Sequence, residues 1–449
     1  MLTQNESKPL PIDTLIHARW IIPVEPDGQV YEHHALAING GKIVGILPAG
    51  EADRYYHADV VRRLDSHALI PGMINVHTHA AMNLLRGFAD DLPLMDWLQH
   101  HIWPAEQQWV SPAFVRDGTR LAIAEMLRGG TTCFNDMYFF PDQVAHVAID
   151  SGIRASVGLI VIEFPSAWAT DADDYLRKGL EVHDQLRGHD RVQTAFAPHA
   201  PYTVGDDALR RIVTYAGELN LPIAMHVHET AGEVARTVKE TGERPLKRLE
   251  RLGLLSPQFL AIHMTQLEAY EIATLAAQGV SVLHCPESNL KLASGFCPVA
   301  ALLKAGVNVA IGTDGAASNN DLDMFGEMRT AALLAKAVAG DASAVPAHEA
   351  LRMATLNGAR ALGLDAVTGS LIIGKEADVV AVDLGGLESQ PVYDPVSQIV
   401  YACSRNQVTD VWVQGKSLLA DRQLLTLDEQ AIAANTAAWH DRIRTTVLK

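Results

Sequence analysis

The chain has 449 residues, 48% hydrophobic and 20% charged, a balance that excludes an intrinsically disordered protein. With 53 acidic against 36 basic residues its formal net charge is -17, which argues against binding to nucleic acid or anionic lipid; no run of Lys and Arg longer than two offsets it. This length predicts more than one domain.

In chain order, the N-terminal MLTQNESKPLPIDTL lacks a basic stretch followed by an apolar core, and no apolar run nears the roughly 20 residues of a membrane span. Cys133, Cys285, Cys297 and Cys403 are scattered without a C-x-x-C pair, so they read as buried free thiols. A cytoplasmic protein that does not bind membranes is the expectation. The first seventy residues predict short strands at Ile12–Val24, Ala35–Ile38 and Lys42–Leu47, with a turn at Gly40-Gly41. The segment from Gly369 to about Leu424 has the same texture, and Asp428–Val447 has helical periodicity. Residues 1–69 and 369–449 are therefore expected to form one small composite β-sandwich domain, with a C-terminal helix, around a catalytic domain of residues 70–368.

That middle region alternates short apolar runs with amphipathic segments: LIPGMINVHTH, TTCFNDM, ASVGLIVIE, VQTAFAPHA, LPIAMHVHE, FLAIHMT, VSVLHCP and NVAIGTD. Helices are predicted at Ser111–Arg128, Asp206–Glu218, Ala231–Leu252 and Leu267–Gln278. Strand then helix, repeated about eight times, predicts an α/β fold of the (β/α)₈ type. No G-x-G-x-x-G follows a strand, which weakens the competing doubly wound sheet. Polar residues mark the ends of successive runs: His77 and His79, Asp136, His199, His226 and Glu229, His263, His284, Asp314. Scattered core histidines would not gather at one end of consecutive strands, whereas the C-terminal mouth of such a barrel is where active sites are built.

His77 and His79 are two apart, so on a strand they project together and can chelate one ion; an isolated H-x-H is equally two hydrogen-bonded core histidines. His226 adds a third imidazole and Glu229 a carboxyl placed as an acid. Four ligands, His77, His79, His226 and Asp314, would leave a position for water, the pattern of a catalytic metal site; the alternative is a barrel that merely keeps polar residues at its rim. The fourth run, VQTAFAPHA, has no lysine that could be carboxylated to bridge two metals, so one ion is expected. His228 could face inward two residues from His226, but packing or support of a ligand is the better reading, and it is left out of the ligand set.

At these residues the chain resembles a family. PGMINVHTHAAMNLLRG, HVHET, the His263 strand and GTDGAASNN are similar to the amidohydrolase superfamily, and DDLPLMDWLQHHIWPAE and HCPESNLKLASG resemble its 5′-methylthioadenosine/S-adenosylhomocysteine deaminase branch. The resemblance implies a deaminase of the adenine ring in small-molecule nucleosides, with one divalent metal per subunit, Zn²⁺ or in some relatives iron, that activates water. It implies that Asp314, paired with His263, takes the water proton, that Glu229 protonates the ring, that Glu106 binds the ribose hydroxyls and that His199 touches substrate. Read without the resemblance, Glu106 is an ordinary helix-start residue and His199 a polar residue of the rim. Homo-oligomers are common in this branch. Trp97, Trp103, Met82 and Leu85 are offered as an apolar wall for a thioether, and Asn83–Ile102 as a lid.

One departure concerns the third run. Some relatives carry an extra arginine there for the homocysteine carboxylate, whereas here Arg154 is followed by ASVGLIVIE with no second basic residue. That favours methylthioadenosine or another adenosine with an uncharged 5′ group, and leaves Arg154 as a structural residue leading into the strand. Within the same metal cage the alternatives are a deaminase or chlorohydrolase of a free base or triazine (guanine, cytosine), where Glu106 would have no diol to bind. A scaffold that has lost catalysis conflicts with the retained ligands, and a dihydroorotase-type hydrolase with the missing lysine.

Overall fold

The computed structural model describes residues 8–447. Its two sheets divide the chain in an unusual way. The N-terminal strands β1 (Leu10–Ile21), β2 (Tyr31–Asn39), β3 (Lys42–Pro48) and β4 (Tyr56–Pro71) share one sheet with four late strands. Between them run the strands of the second sheet: β5 (Met73–Thr78), β6 (Thr131–Tyr138), β7 (Arg154–Val161), β8 (Val192–Pro198), β9 (Ile223–Val227), β10 (Phe259–His263), β11 (Ser281–His284) and β12 (Asn308–Ile311). The late strands are β13 (Val379–Asp383), β14 (Val408–Val413), β15 (Lys416–Ala420) and β16 (Gln423–Leu424).

Strands β5 to β12 pair in sequence order, parallel throughout. They are buried almost without interruption, as expected where helices cover the outside and side chains fill the inside. The ends of this sheet meet: Asp314 N–H donates to the His77 carbonyl (2.9 Å), and Asn75 and Thr313 exchange two bonds of 2.7 and 3.0 Å. Gly312 permits the closure, since a Cβ there would lie 2.7 Å from the His77 nitrogen. The (β/α)₈ barrel is therefore as the alternating pattern predicts.

In the other sheet the order is β16-β15-β14-β13-β4-β1-β2-β3. Neighbouring residues of β1 serve different clusters, Leu15 packing with Ala35, Ala37 and Ala52, Ile16 with Leu36, Val379 and Trp412. Strand β4 was not anticipated as an element of its own. Before its apolar end it carries charged, exposed residues such as Asp59, Arg63 and Asp65, so it lacks an apolar run there, while its last residues merge in sequence with β5. The break falls at Gly72, where a Cβ would come within 1.9 Å of Thr132 Oγ1. The segment Ala231–Leu252 also departs from the single helix expected: it is two, Ala231–Thr241 and Pro245–Arg251, separated where Gly242 turns left-handed (φ 78°). The helices at Pro112–Arg128, Asp206–Leu219, Ala269–Gln278 and Glu429–Val447 follow the predicted periodicity. All four cysteines are buried and free. No helix among the described residues is long and apolar enough to cross a membrane.

Arg154 ties the two sheets together. It opens β7, is 2% exposed, and donates to Asp378 (3.1 and 3.3 Å) and Glu376 (2.6 Å). Asp378 also accepts the Gln414 N–H at 2.7 Å. Removing one partner from such a buried ion pair leaves carboxylates without a cation. Arg154→Ala is expected to lower stability by about 3–5 kcal/mol. Denaturant unfolding checks this, and a change below about 1 kcal/mol would contradict the assignment of Arg154 as a tie between the sheets.

Candidate metal centre and active-site cavity

Four donor groups converge at the C-terminal mouth of the barrel. His77 lies within β5 and His79 just past it, His226 within β9, and Asp314 three residues beyond β12. His77 Nε2 lies 3.3 Å from Asp314 Oδ1 and 3.2 Å from His226 Nε2, and His79 Nε2 is also 3.3 Å from Asp314 Oδ1. Donor atoms of His77, His79 and His226 fall within 4.8 Å of one another, and so do those of His77, His263 and Asp314.

The outer nitrogens decide what the inner ones are. His79 Nδ1–H donates to the Met137 carbonyl (2.6 Å) and His226 Nδ1–H to the His199 carbonyl (2.7 Å). A carbonyl only accepts, so both rings carry their proton on Nδ1 and present a lone pair at Nε2. His79 Nε2 and the Asp314 carboxylate therefore face each other as two acceptors. A proton would reconcile them: burial opposes a charge on His79, but Asp314 raises its pKa to about 9. One divalent cation satisfies all of these donors at once, and imidazole nitrogens with one carboxylate are a donor set suited to zinc. The residues fit a metal.

Asp314 is held in place through both carboxylate oxygens. Its Oδ1 accepts from Gly315 N–H (2.8 Å) and its Oδ2 from the hydroxyls of Ser288 (2.7 Å) and Ser318 (2.9 Å). Both Asp314 (φ 64°) and His263 (φ 73°) adopt the left-handed backbone that non-glycine residues avoid, a strain characteristic of functional sites. His263 Nδ1–H donates to Asn289 Oδ1 (2.9 Å), which leaves its Nε2 as an acceptor 3.8 Å from Glu229 Oε1.

The carboxyl groups around the centre are far from their ordinary state. Burial, with Asp314 adding its charge, pushes Glu229 up to about 8, so it carries a proton at neutral pH. Its backbone is fixed on both sides: the amide donates to Glu233 Oε2 (2.8 Å) and the carbonyl accepts from Thr265 Oγ1 (2.7 Å). Glu106 is raised by burial to about 7, partly offset by the Tyr138 hydroxyl that donates to its Oε1 at 2.7 Å. His199 is driven down to about 3 by burial and the neighbouring histidines, which keeps it neutral. His228 points elsewhere. Its Nε2 accepts the Leu246 N–H (3.2 Å) and its Nδ1 lies 3.8 Å from Glu271, placing it in the packing behind the site.

His79 and His199 line one cavity of about 620 Å³, a size suited to a small-molecule ligand, whereas His77 and His228 do not reach it. Glu229, His226, His263 and Asp314 line it together with Glu106 and Tyr138, and with an apolar group that includes Met82, Trp97, Trp103 and Phe164. Leu85 does not line it, contrary to expectation: it is 1% exposed and packs in the core below. The Asn83–Ile102 segment contributes Leu94, Trp97, Leu98, Gln99 and Ile102 to the lining. Residues missed in the sequence are Tyr138, Ser288, Asn289 and Ser318. Ser288 and Asn289 lie in the HCPESNLKLASG stretch, and Ser318 in GTDGAASNN, where small polar residues follow the ends of barrel strands.

Residues 68–418 match the amidohydrolase family. The chain belongs to that family. A 5-methylthioadenosine/S-adenosylhomocysteine deaminase from Teredinibacter turnerae is 51% identical over 432 residues, 96% of this chain and 98% of the relative. A crystal structure of an adenosine deaminase from Xanthomonas campestris with bound zinc superposes on the amidohydrolase with a TM-score of 0.96, at 55% identity, covering 97% of this chain and 100% of that one. A guanine deaminase from E. coli shares the fold (TM-score 0.81) at 22% identity, over 91% of this chain and 100% of that one. This amidohydrolase is a hydrolytic deaminase of a metal-dependent family.

Proposed function

We propose that this amidohydrolase removes the 6-amino group from an adenosine carrying an uncharged 5′ substituent, 5′-methylthioadenosine foremost. Water replaces the amine at C6, giving the inosine-type product and ammonia. The observation that carries the reading is the cavity itself, lined by the two carboxyl groups Glu229 and Glu106, by His79, His226 and Asp314 of the convergent donor cluster, and by apolar side chains.

His77, His79, His226 and Asp314 would hold the ion, zinc in preference to iron because the adenosine deaminase at 55% identity was crystallised with zinc. Bound there, it supplies a Lewis acid that makes water nucleophilic at neutral pH. Asp314, with His263 at its side, accepts the water proton. Glu229 gives its proton to N1 of the ring, which lets C6 accept the attacking oxygen, and then helps carry protons to the departing ammonia. His199, kept neutral, offers a ring nitrogen to substrate. Glu106, when ionised, accepts hydrogen bonds from the ribose 2′ and 3′ hydroxyls.

The 5′ group is read from what the wall lacks. Among the described residues no Lys or Arg lines the cavity, so a homocysteine carboxylate would be desolvated without a cation. An unpaired polar group of this kind costs about 1–3 kcal/mol, roughly 5- to 150-fold in kcat/KM. The test is ammonia release from 5′-methylthioadenosine, S-adenosylhomocysteine, adenosine, guanine and cytosine by zinc-loaded protein. Preference for methylthioadenosine over the homocysteine adduct by that margin is expected. Turnover of a free base alone would overturn the reading of Glu106, and equal rates on both thioethers would overturn the reading of the 5′ wall.

A further inference from the structure

We infer that Tyr138 is a positioning residue for nucleoside recognition, acting through Glu106 rather than on the reacting ring; this rests on the reading of Glu106 as the ribose-binding carboxyl. Glu106 sits in the first turn of the helix Trp103–Trp109, outside the barrel strands, on a segment whose side chain could take several orientations. Tyr138 is different. It is the last residue of β6, 3% exposed, and fixed by the sheet that also presents the metal-ligand cluster. Its hydroxyl donates to Glu106 Oε1 at 2.7 Å, and no protein donor reaches Oε2 among the described residues. One oxygen is thus pinned to the barrel while the other is left for substrate.

The bond does two things that a packing contact would not. It fixes the diol-binding carboxyl to a rigid strand before substrate arrives, so less freedom is lost when the ribose binds. It also supports the ionised carboxyl in a buried place where no Lys or Arg lines the cavity. The ring of Tyr138 lies 6.4 Å from that of His79, so the same residue spans the gap between the recognition end and the reaction end.

The experiment compares Tyr138→Phe and Glu106→Gln with wild type on adenosine and on 2′,3′-dideoxyadenosine, measuring kcat and KM separately. Tyr138→Phe removes only the hydroxyl. We expect KM for adenosine to rise about tenfold, the equivalent of one hydrogen bond to a charged group, with kcat changed by less than about threefold. The dideoxy analogue, lacking the hydroxyls, should show no added loss. A loss of equal size on both substrates would mean a general structural role and overturn the inference. If Glu106→Gln abolishes the preference for the diol but Tyr138→Phe does not, the inference fails while the reading of Glu106 stands. If neither variant changes the preference, the reading of Glu106 itself has failed.

Discussion

Glu229→Gln is expected to keep its full complement of bound metal and to lose roughly 10²- to 10⁴-fold in kcat, the usual contribution of a positioned proton donor. Gln matches the size of Glu, and the backbone at this position is clamped by Glu233 and Thr265, so the amide should stand where the acid stood. What it cannot do is transfer a proton. The carboxyl it replaces is pushed by burial, then by Asp314, to about 8, and so holds the proton it needs to give at neutral pH. KM should change little, because the group acts as charge develops in the transition state rather than in the bound substrate. Steady-state ammonia release together with metal analysis of the purified variant checks both halves. Near-normal turnover, or loss of metal along with activity, would remove Glu229 from the role of acid.

Asp314→Asn should fail more completely. The substitution is nearly isosteric, and Ser288 and Ser318 can still donate to the remaining oxygen, so the fold is expected to survive. On the proposed assignment it takes away the one anionic ligand and, in the same group, the acceptor of the water proton. Bound metal should fall well below about one per chain, and turnover to the level of buffer. His79→Gln offers the contrast. It removes one neutral ligand but leaves the base, so excess zinc should restore part of its activity and none of that of Asp314→Asn. Equal rescue of both variants would show that Asp314 serves only as a ligand.

How far these residues could be read from sequence depends on whether their partners are near or far along the chain. The candidate ligands stand at the ends of three apolar runs, His77 and His79 on one, His226 and Asp314 on two others, so they are visible one strand at a time. Their support is not. Tyr138 acquires meaning only when β6 meets the helix that carries Glu106, and the Met137 carbonyl only when His79 turns towards it. The tautomers that argue for a cation follow from such contacts across strands. Glu106, read from the resemblance, was nearest to an ordinary surface residue, and its burial could not be inferred from WPAE. The fold shows the same division. Barrel strands covered on both faces announce themselves as apolar runs, whereas β4 alternates exposed charge with partial burial and passes for a connection. The merged helix at 231–252 is a plainer oversight, since Gly242 and Pro245 both stood in the sequence as breakers.

The placement of β4 has a consequence for how the chain must be made. One of its edges is covered at once by β1, but the other pairs with β13, Pro71 to Val379 and His67 to Asp383, whose residues leave the ribosome only after every barrel strand. Throughout that interval the nascent protein carries an open row of backbone donors and acceptors, the kind of edge on which other chains can add. The stretch that waits, His67–Pro71, is the apolar and largely buried end of β4, and the charged residues lie before it. Completion of this sheet thus comes last, and a ribosome that stalls anywhere in the barrel releases a product with that edge still bare.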